Sequence, residues 1–241
     1  MASPSTVTQL AEYLLQKEAD TRGKRDGRHR FVVAVSGVPG AGKTYLSDRI
    51  GIEVNRLHNA ALEKEEEEEE GKAEKEEICV VLPMDGFHLT KAQLRAMDDP
   101  ETAFARRGAP WTFDGSRFVE AVRSVSCDGG ERVVLWPSFD HAVGDPVEAA
   151  IEVAESHRIV IVEGLYAHVN EDPWEPIGAQ LADELWWIDS SDSFERMVER
   201  HVATGVEATH ERATRRVVET DSINGIYAET HRHPPTRCIR N

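Results

Sequence analysis

Phe31-Val-Val-Ala-Val-Ser36 runs directly into Gly37-Val-Pro-Gly-Ala-Gly-Lys-Thr44, and this stretch decides the fold. The first six residues are a short apolar, β-branched run of the kind that a strand buried on both faces requires. The next eight match GxxxxGK[ST], in which glycines let the backbone close around a phosphate and turn its N–H groups inward. The helix expected to start near Lys43 adds its positive end to the same point. Lys43 is placed to reach β- and γ-phosphates, and the Thr44 hydroxyl to bind Mg²⁺. Gly37, Val38, Pro39, Gly40, Ala41, Gly42, Lys43, Thr44 and Tyr45 are therefore the candidate nucleotide cradle.

Working outward, strand patterns recur at Ile78–Leu82, Val133–Trp136, Arg158–Val162 and Glu184–Ile188, with helical patterns between them. That alternation predicts an α/β fold: three layers, α/β/α, around a mostly parallel sheet. In such sheets ligands sit at the carboxyl ends of the strands. Asp85, Asp140, Glu163 and Asp189 all fall at or just after those ends. Glu163 closes an apolar run, as an acidic group that holds Mg²⁺ through water or contacts substrate would. Asp145-Pro146 reads as a turn.

The chain reads as one domain over 1–241. Residues 1–30 give an amphipathic helix over Thr6–Ala19, with Ser5 or Thr6 as cap, and a basic connector. A helical lid is expected over 191–225 and an irregular tail over 226–241. The formal net charge is −16, and Glu63–Glu77 carries ten Glu against three Lys, hence −7 of it. Like charges repel within a helix, so 60–77 reads as a disordered acidic insert. An acidic chain is a poor partner for nucleic acid. Cys79, Cys127 and Cys238 lack metal-site spacing and read as reduced thiols. No apolar run approaches the ~20 residues of a membrane span, and the N-terminal residues lack a signal-peptide pattern, so a cytoplasmic location is expected.

Four further segments carry a resemblance. Met84-Asp-Gly-Phe-His-Leu-Thr90, Arg106-Arg-Gly-Ala-Pro-Trp-Thr-Phe-Asp114, Pro137-Ser-Phe-Asp-His141 and Ile161-Val-Glu-Gly-Leu165 occur in that order. From Phe31 to Gly225 the chain resembles the superfamily of uridine kinase, phosphoribulokinase and bacterial-type pantothenate kinase. Its nearest likeness is the uridine-kinase-like group of uncertain substrate. The resemblance implies an ATP- and Mg²⁺-dependent kinase that phosphorylates a hydroxyl of a small metabolite. It places Asp85 as the carboxylate that takes the hydroxyl proton, which the residue's position one strand from the cradle also suits. His88 is either a substrate contact or a structural side chain. Arg106, Arg107 and Trp111 match a substrate-covering segment, and Phe139, Asp140 and His141 a second substrate wall. Arg200, His201 and Arg216 match a lid pattern in which arginines neutralise charge on the transferring group.

Two departures stand out. Thr220 replaces an Asn that relatives often carry ahead of Asp221 and Asn224. The segment His231–Asn241 contains Pro234 and Pro235 and does not read as the further strand that relatives continue into. Nucleosides, sugars, pantothenate and glycerate-like acids all remain as acceptors. The rival reading is a nucleotide-binding regulatory or scaffold protein with slow hydrolysis, to which the acidic insert would belong. None of these features bears on oligomeric state.

Overall fold

A computed structural model describes residues 6–22, 30–69, 75–126, 133–140 and 142–241. Five strands form one wholly parallel sheet: β1 (Phe31–Gly37), β2 (Cys79–Pro83), β5 (Ile159–Glu163), β6 (Glu184–Asp189) and β7 (Arg237–Arg240). Their spatial order is β2-β5-β1-β6-β7, so β1 is central and the chain crosses over β5's place to reach β2. All seven residues of β1 are buried. Successive side chains of a strand point to opposite faces. Val32 and Ala34 accordingly join one core with Leu82, Val160, Val162, Trp136, Tyr166 and Trp174. Phe31, Val33 and Val35 join the other, with Ile50, Val54, Ile161, Trp186 and Ile188. The continuous apolar run that marks β1 in the sequence is thus the consequence of two covered faces.

Helix α1 (Val7–Arg22) lays Leu10 and Leu14 into the second core, and the Thr6 hydroxyl accepts from the Gln9 N–H at its start. Helix α2 (Lys43–Glu69) begins at the glycine turn. It runs well past His58, so the expected disorder of 60–77 is corrected at least as far as Glu69. Asn59 supports this extension: its amide donates to the Asn55 and Glu76 carbonyls and its oxygen accepts from the Glu76 N–H. Residues 70–74 lie outside the described residues.

The third predicted strand does not join the sheet. It is β3 (Val134–Asp140), which pairs antiparallel with β4 (Asp145–Val153) in a separate two-stranded hairpin. Asp145-Pro146, read as a turn, starts β4. Most of β4 is exposed, so it lacks the apolar periodicity that would have marked it. Trp136 fastens the hairpin to the domain: it is buried in the first core and its indole N–H donates to the Pro83 carbonyl at 2.9 Å. Short helices α3 (Lys91–Arg95) and α4 (Pro100–Ala105) and a longer α5 (Gly115–Ser126) connect β2 to this hairpin.

Beyond β6 come α6 (Ser193–Ala203), α7 (His210–Arg216), a wider turn over Val217–Asp221, and α8 (Ser222–Thr230). The tail is not irregular: β7 pairs with β6 from Trp186↔Arg237 to Asp189↔Arg240. The two prolines precede the strand, where their missing N–H groups cost no ladder bonds. No helix among the described residues is long and apolar enough to cross a membrane.

Candidate active site

The turn between β1 and α2 is held open by glycine. Gly40 and Gly42 adopt φ of 80° and 86°, a region that side-chain-bearing residues rarely enter. A Cβ on Gly40 would run into the Ser193 carbonyl oxygen of α6, and one on Gly42 into the Asn241 amide. The Asn241 side chain donates to the Ala41 carbonyl at 2.9 Å, so the end of β7 braces the turn.

Lys43 is half-buried here. Its Nζ donates to the carbonyls of Gly37 (3.0 Å) and Val38 (3.3 Å). Burial pulls the ammonium below its ordinary pKa, the charges of Glu163 and Asp85 push it back up, and Arg200 lowers it further. Lys43, Glu163, Asp85 and Arg200 therefore share one electrostatic neighbourhood, although they come from α2, β5, the turn after β2, and α6. The strand order explains the meeting of the two carboxylates, because β5 lies between β1 and β2 and pairs Pro83 with Glu163. Glu163 accepts from the Thr44 hydroxyl at 3.0 Å. Its pKa is raised to about 7, first by burial and then by Asp85 and Asp48, against the lowering by Lys43 and the Thr44 bond.

Asp85 is the second residue of a single 3₁₀ turn (Met84–Phe87), and its side chain is 45% exposed. His88 follows it. Its Nδ1 lies 2.9 Å from the Asp85 carbonyl oxygen, and its ring packs against Phe113 (centroids 3.9 Å) and Phe139 (4.8 Å). His88 thus joins three segments that the sequence analysis assigned to the acceptor. Arg107 does the same by hydrogen bonds, donating to Gly144 O (2.6 Å) and Leu89 O (2.8 Å), with Asp145 at 3.6 Å and its guanidinium over Phe139. Burial lowers its pKa and Asp145 raises it. Arg107 is spent on holding the wall together, and Arg106 next to it points into a different cleft beside α7.

Other candidates fall apart from this group. The Asp140 carboxylate accepts from the N–H groups of Ala142 and Val143 and so caps the hairpin turn. Trp111 is 48% exposed and lines a separate cleft with Leu89, Trp174 and Tyr227. The Tyr45 side chain is exposed and its hydroxyl accepts from Arg49 at 2.9 Å. Asp189 ends β6 exposed, its carbonyl accepting from the Asn241 N–H. His141 lies outside the described residues. In the lid, the His201 ring lies 2.8 Å from the Asp221 carboxylate, which ties α6 to the wide turn. Thr220, which stands in for Asn, is buried.

Beside the turn lies an apolar cleft of about 270 Å³, walled by Val38, Pro39, Phe194, Met197, Val217 and Ile226. Sequence reasoning missed this wall, as it missed Asp48 and Asn241. Asp48 carries a readable signal, since four residues from Thr44 on one helix puts both on the same face. Asn241 has none, being almost the full chain length away from Ala41.

A phosphate-binding turn at the carboxyl end of a central parallel strand, with a half-buried lysine and two carboxylates around it, defines a P-loop nucleotide-binding protein. No protein-family model matches the chain. The ATP-dependent kinase-like protein notR' of Aspergillus versicolor is 41% identical over 160 residues, 65% of this chain and 92% of that protein. A Schizosaccharomyces pombe protein named "Putative uridine kinase C227.14" is 36% identical over 210 residues, 86% of this chain and 82% of that protein. Among solved structures, YFH7 of Saccharomyces cerevisiae superposes with a TM-score of 0.83 at 23% identity, over 98% of this chain and 99% of that one. The chain belongs to the uridine-kinase-like family of P-loop kinases.

Proposed function

We propose that this protein transfers the γ-phosphoryl group of ATP to a hydroxyl of a small metabolite: a nucleoside, a sugar or a pantothenate-like alcohol. The observation that carries this reading is the shared electrostatic neighbourhood of Lys43, Glu163 and Asp85 at the mouth of the glycine turn. The backbone N–H groups of Gly40–Thr44 and the start of α2 take the phosphates, and Lys43 neutralises the outer two. The apolar cleft beside Pro39 and Met197 takes the nucleobase.

Thr44 and Glu163 are suited to Mg²⁺. Their oxygens are 3.0 Å apart, and the buried carboxylate, with Asp85 and Asp48 near it, has a surplus of negative charge that a divalent cation offsets. Among the described residues there is no cluster of three or more metal-type ligands. That agrees with an ion that keeps waters and shares phosphate oxygens instead of sitting in a protein cage. Bound there, the ion would supply charge neutralisation across the β- and γ-phosphates.

Asp85 accepts the proton as the acceptor oxygen attacks, and its exposure keeps it reachable from the acceptor side. Arg200, whose charge already acts on Lys43, stabilises negative charge on the group in flight, and Arg216 joins it when the lid closes. The wall of His88, Phe113 and Phe139 shapes the acceptor pocket.

The test is ADP release by the purified chain against a panel of nucleosides, sugars and vitamin precursors. One acceptor should raise turnover well above the acceptor-free rate. Asp85→Asn should lower that turnover by roughly 10²–10⁴ while a non-hydrolysable ATP analogue still binds. ATP loss that no acceptor stimulates, and that Asp85→Asn leaves unchanged, would refute the reading.

A further inference from the structure

Helix α8 presents two faces to the site. Ser222, Gly225, Ile226 and Glu229 lie on the face that lines the apolar cleft beside the glycine turn. Tyr227 and Ala228 lie on another face, against Tyr166 and the first core. Asn224 precedes them by three and four residues, so it shares this second face and takes no part in the cleft. It is 3% exposed, and its carboxamide has no hydrogen-bond partner among the described residues. Nor is it sealed in, as the partnerless Ser47 and Ser190 hydroxyls are: it borders open space.

That space lies in front of Gly108. Its chain neighbours aside, a Cβ on Gly108 would meet only the Asn224 carboxamide nitrogen, at 3.6 Å. Gly108 itself is fixed, with φ at 107°. Its N–H donates to the Thr112 hydroxyl at 2.9 Å, and its carbonyl accepts from the Tyr166 hydroxyl at 2.5 Å. A buried amide left unpaired costs free energy, so a gap of this kind favours a ligand that pairs it. A carboxamide offers donors and an acceptor but no charge. Its complement is a neutral group that also does both, a hydroxyl or an amide.

We propose that Asn224 hydrogen-bonds the acceptor across the gap in front of Gly108, through a neutral hydroxyl or amide other than the hydroxyl that is phosphorylated. This rests on the kinase reading above and adds a specificity-determining residue to it. Asn224 is tied to the reacting groups on two sides. Gly225, next to it, packs on the phosphate turn: a Cβ there would lie 2.9 Å from Pro39 and 3.5 Å from Val38, whose carbonyl accepts from Lys43. On the other side stands Tyr166, which holds Gly108. Gly164, two residues before Tyr166, is pressed against Met84, the neighbour of Asp85. The Tyr166 ring also packs on Phe113, which packs on His88, which is bonded to Asp85. An acceptor with its reacting hydroxyl at Asp85 thus has the gap beside it. The two faces of α8 divide the substrates, nucleobase on one and acceptor on the other.

The experiment is steady-state ADP release by the full chain, with acceptor varied at saturating ATP and then ATP varied at saturating acceptor. The probes are uridine, ribose, pantothenate and glycerate, and the constants are taken on whichever stimulates wild type most. Asn224→Ala should raise the acceptor KM by about tenfold or more and leave KM for ATP near wild type. Asn224→Asp keeps the shape but gives up the donor, and should raise the acceptor KM as well. Binding of a non-hydrolysable ATP analogue by each variant reports an intact fold. An acceptor KM unchanged in Asn224→Ala overturns the inference. So does a rise confined to KM for ATP, which would put Asn224 on the nucleotide side, or an equal rise in both, which would mark it as structural. A wild-type acceptor KM in Asn224→Asp alone overturns the pairing of donor with acceptor. If no probe stimulates wild type, the kinase reading falls first and takes this inference with it.

Discussion

The nucleotide cradle and the acceptor wall are built in opposite ways. The cradle is local: one strand, one turn and one helix start, with β5 and β2 alongside, all seated on the buried centre of the sheet. The wall is assembled from two loop segments and the β3–β4 hairpin that are distant in sequence, and what joins them is side chains: His88 between two phenylalanines, and Arg107 on two backbone carbonyls and the Asp145 carboxylate. A cradle made of contiguous backbone tolerates little variation, because its donors are main-chain groups in fixed conformations. A wall made of side-chain contacts can change its ligand by changing a few residues, with the sheet untouched. Damage to the two regions should therefore separate kinetically, the cradle affecting ATP and the wall the acceptor.

The most severe break in the cradle is Lys43→Met, which removes the half-buried cation on which Glu163 and Asp85 act. Loss of a preorganised charge at the transferring group lowers kcat by about 10²–10³. Steady-state ADP release with varied ATP should show that loss with a raised KM for ATP. A variant with more than a third of wild-type kcat would show that Lys43 is structural. Gly40→Ala comes next. It places a Cβ in a left-handed conformation and against the Ser193 carbonyl, so either the turn or α6 must shift. We expect ATP affinity to fall at least roughly tenfold, since misplacement of the N–H donors by even a fraction of an ångström matters in such a site. Acceptor KM measured at saturating ATP should stay near wild type.

Arg107→Lys tests the wall. The lysine keeps the charge but cannot span Gly144, Leu89 and Asp145 at once, and hydrogen bonds from a charged group contribute about 1.5–3 kcal/mol each. A drop in thermal midpoint and a several-fold rise in acceptor KM are expected, with KM for ATP unmoved. Equal rises in both constants would contradict the division between the two regions.

The same division decided what could be read from the sequence. The cradle was legible because its residues are neighbours and its chemistry fixes their spacing, so Lys43, Thr44 and the role of β1 follow from a single stretch. Asp85 and Glu163 were legible as strand ends, but their meeting depends on β5 lying between β1 and β2. The wall was legible only as motifs. Nothing local distinguishes Arg106 from Arg107, and only packing shows that one is a clamp and the other faces an open cleft. The hairpin was misplaced because β4 is largely exposed and shows no period-two pattern of burial. The edge strand β7 was missed because two prolines precede a short, polar run whose only buried residue is Ile239.

The smallest effect concerns proton binding in the cradle without metal. Glu163 has a folded pKa of about 7 against an ordinary 4.5, while its neighbours are Lys43, Asp85, Asp48 and the Thr44 hydroxyl. A carboxyl whose pKa is raised by folding binds its proton more tightly in the native state than in the unfolded chain. Stability from this group is present in full below pH 4.5 and is lost as pH rises through 7. In chelator-treated protein, denaturation between pH 5 and 8 should therefore show wild type losing stability relative to Glu163→Gln, which keeps the shape and the Thr44 contact but cannot ionise. Magnesium with ATP analogue should flatten the wild-type slope, because the ionised carboxylate then has a cation opposite it, and should leave the glutamine variant unaffected. Parallel pH profiles for the two proteins would mean that the charge balance around Lys43 is set by Asp85 and Asp48 instead, and the cradle would then be less strictly local than its backbone suggests.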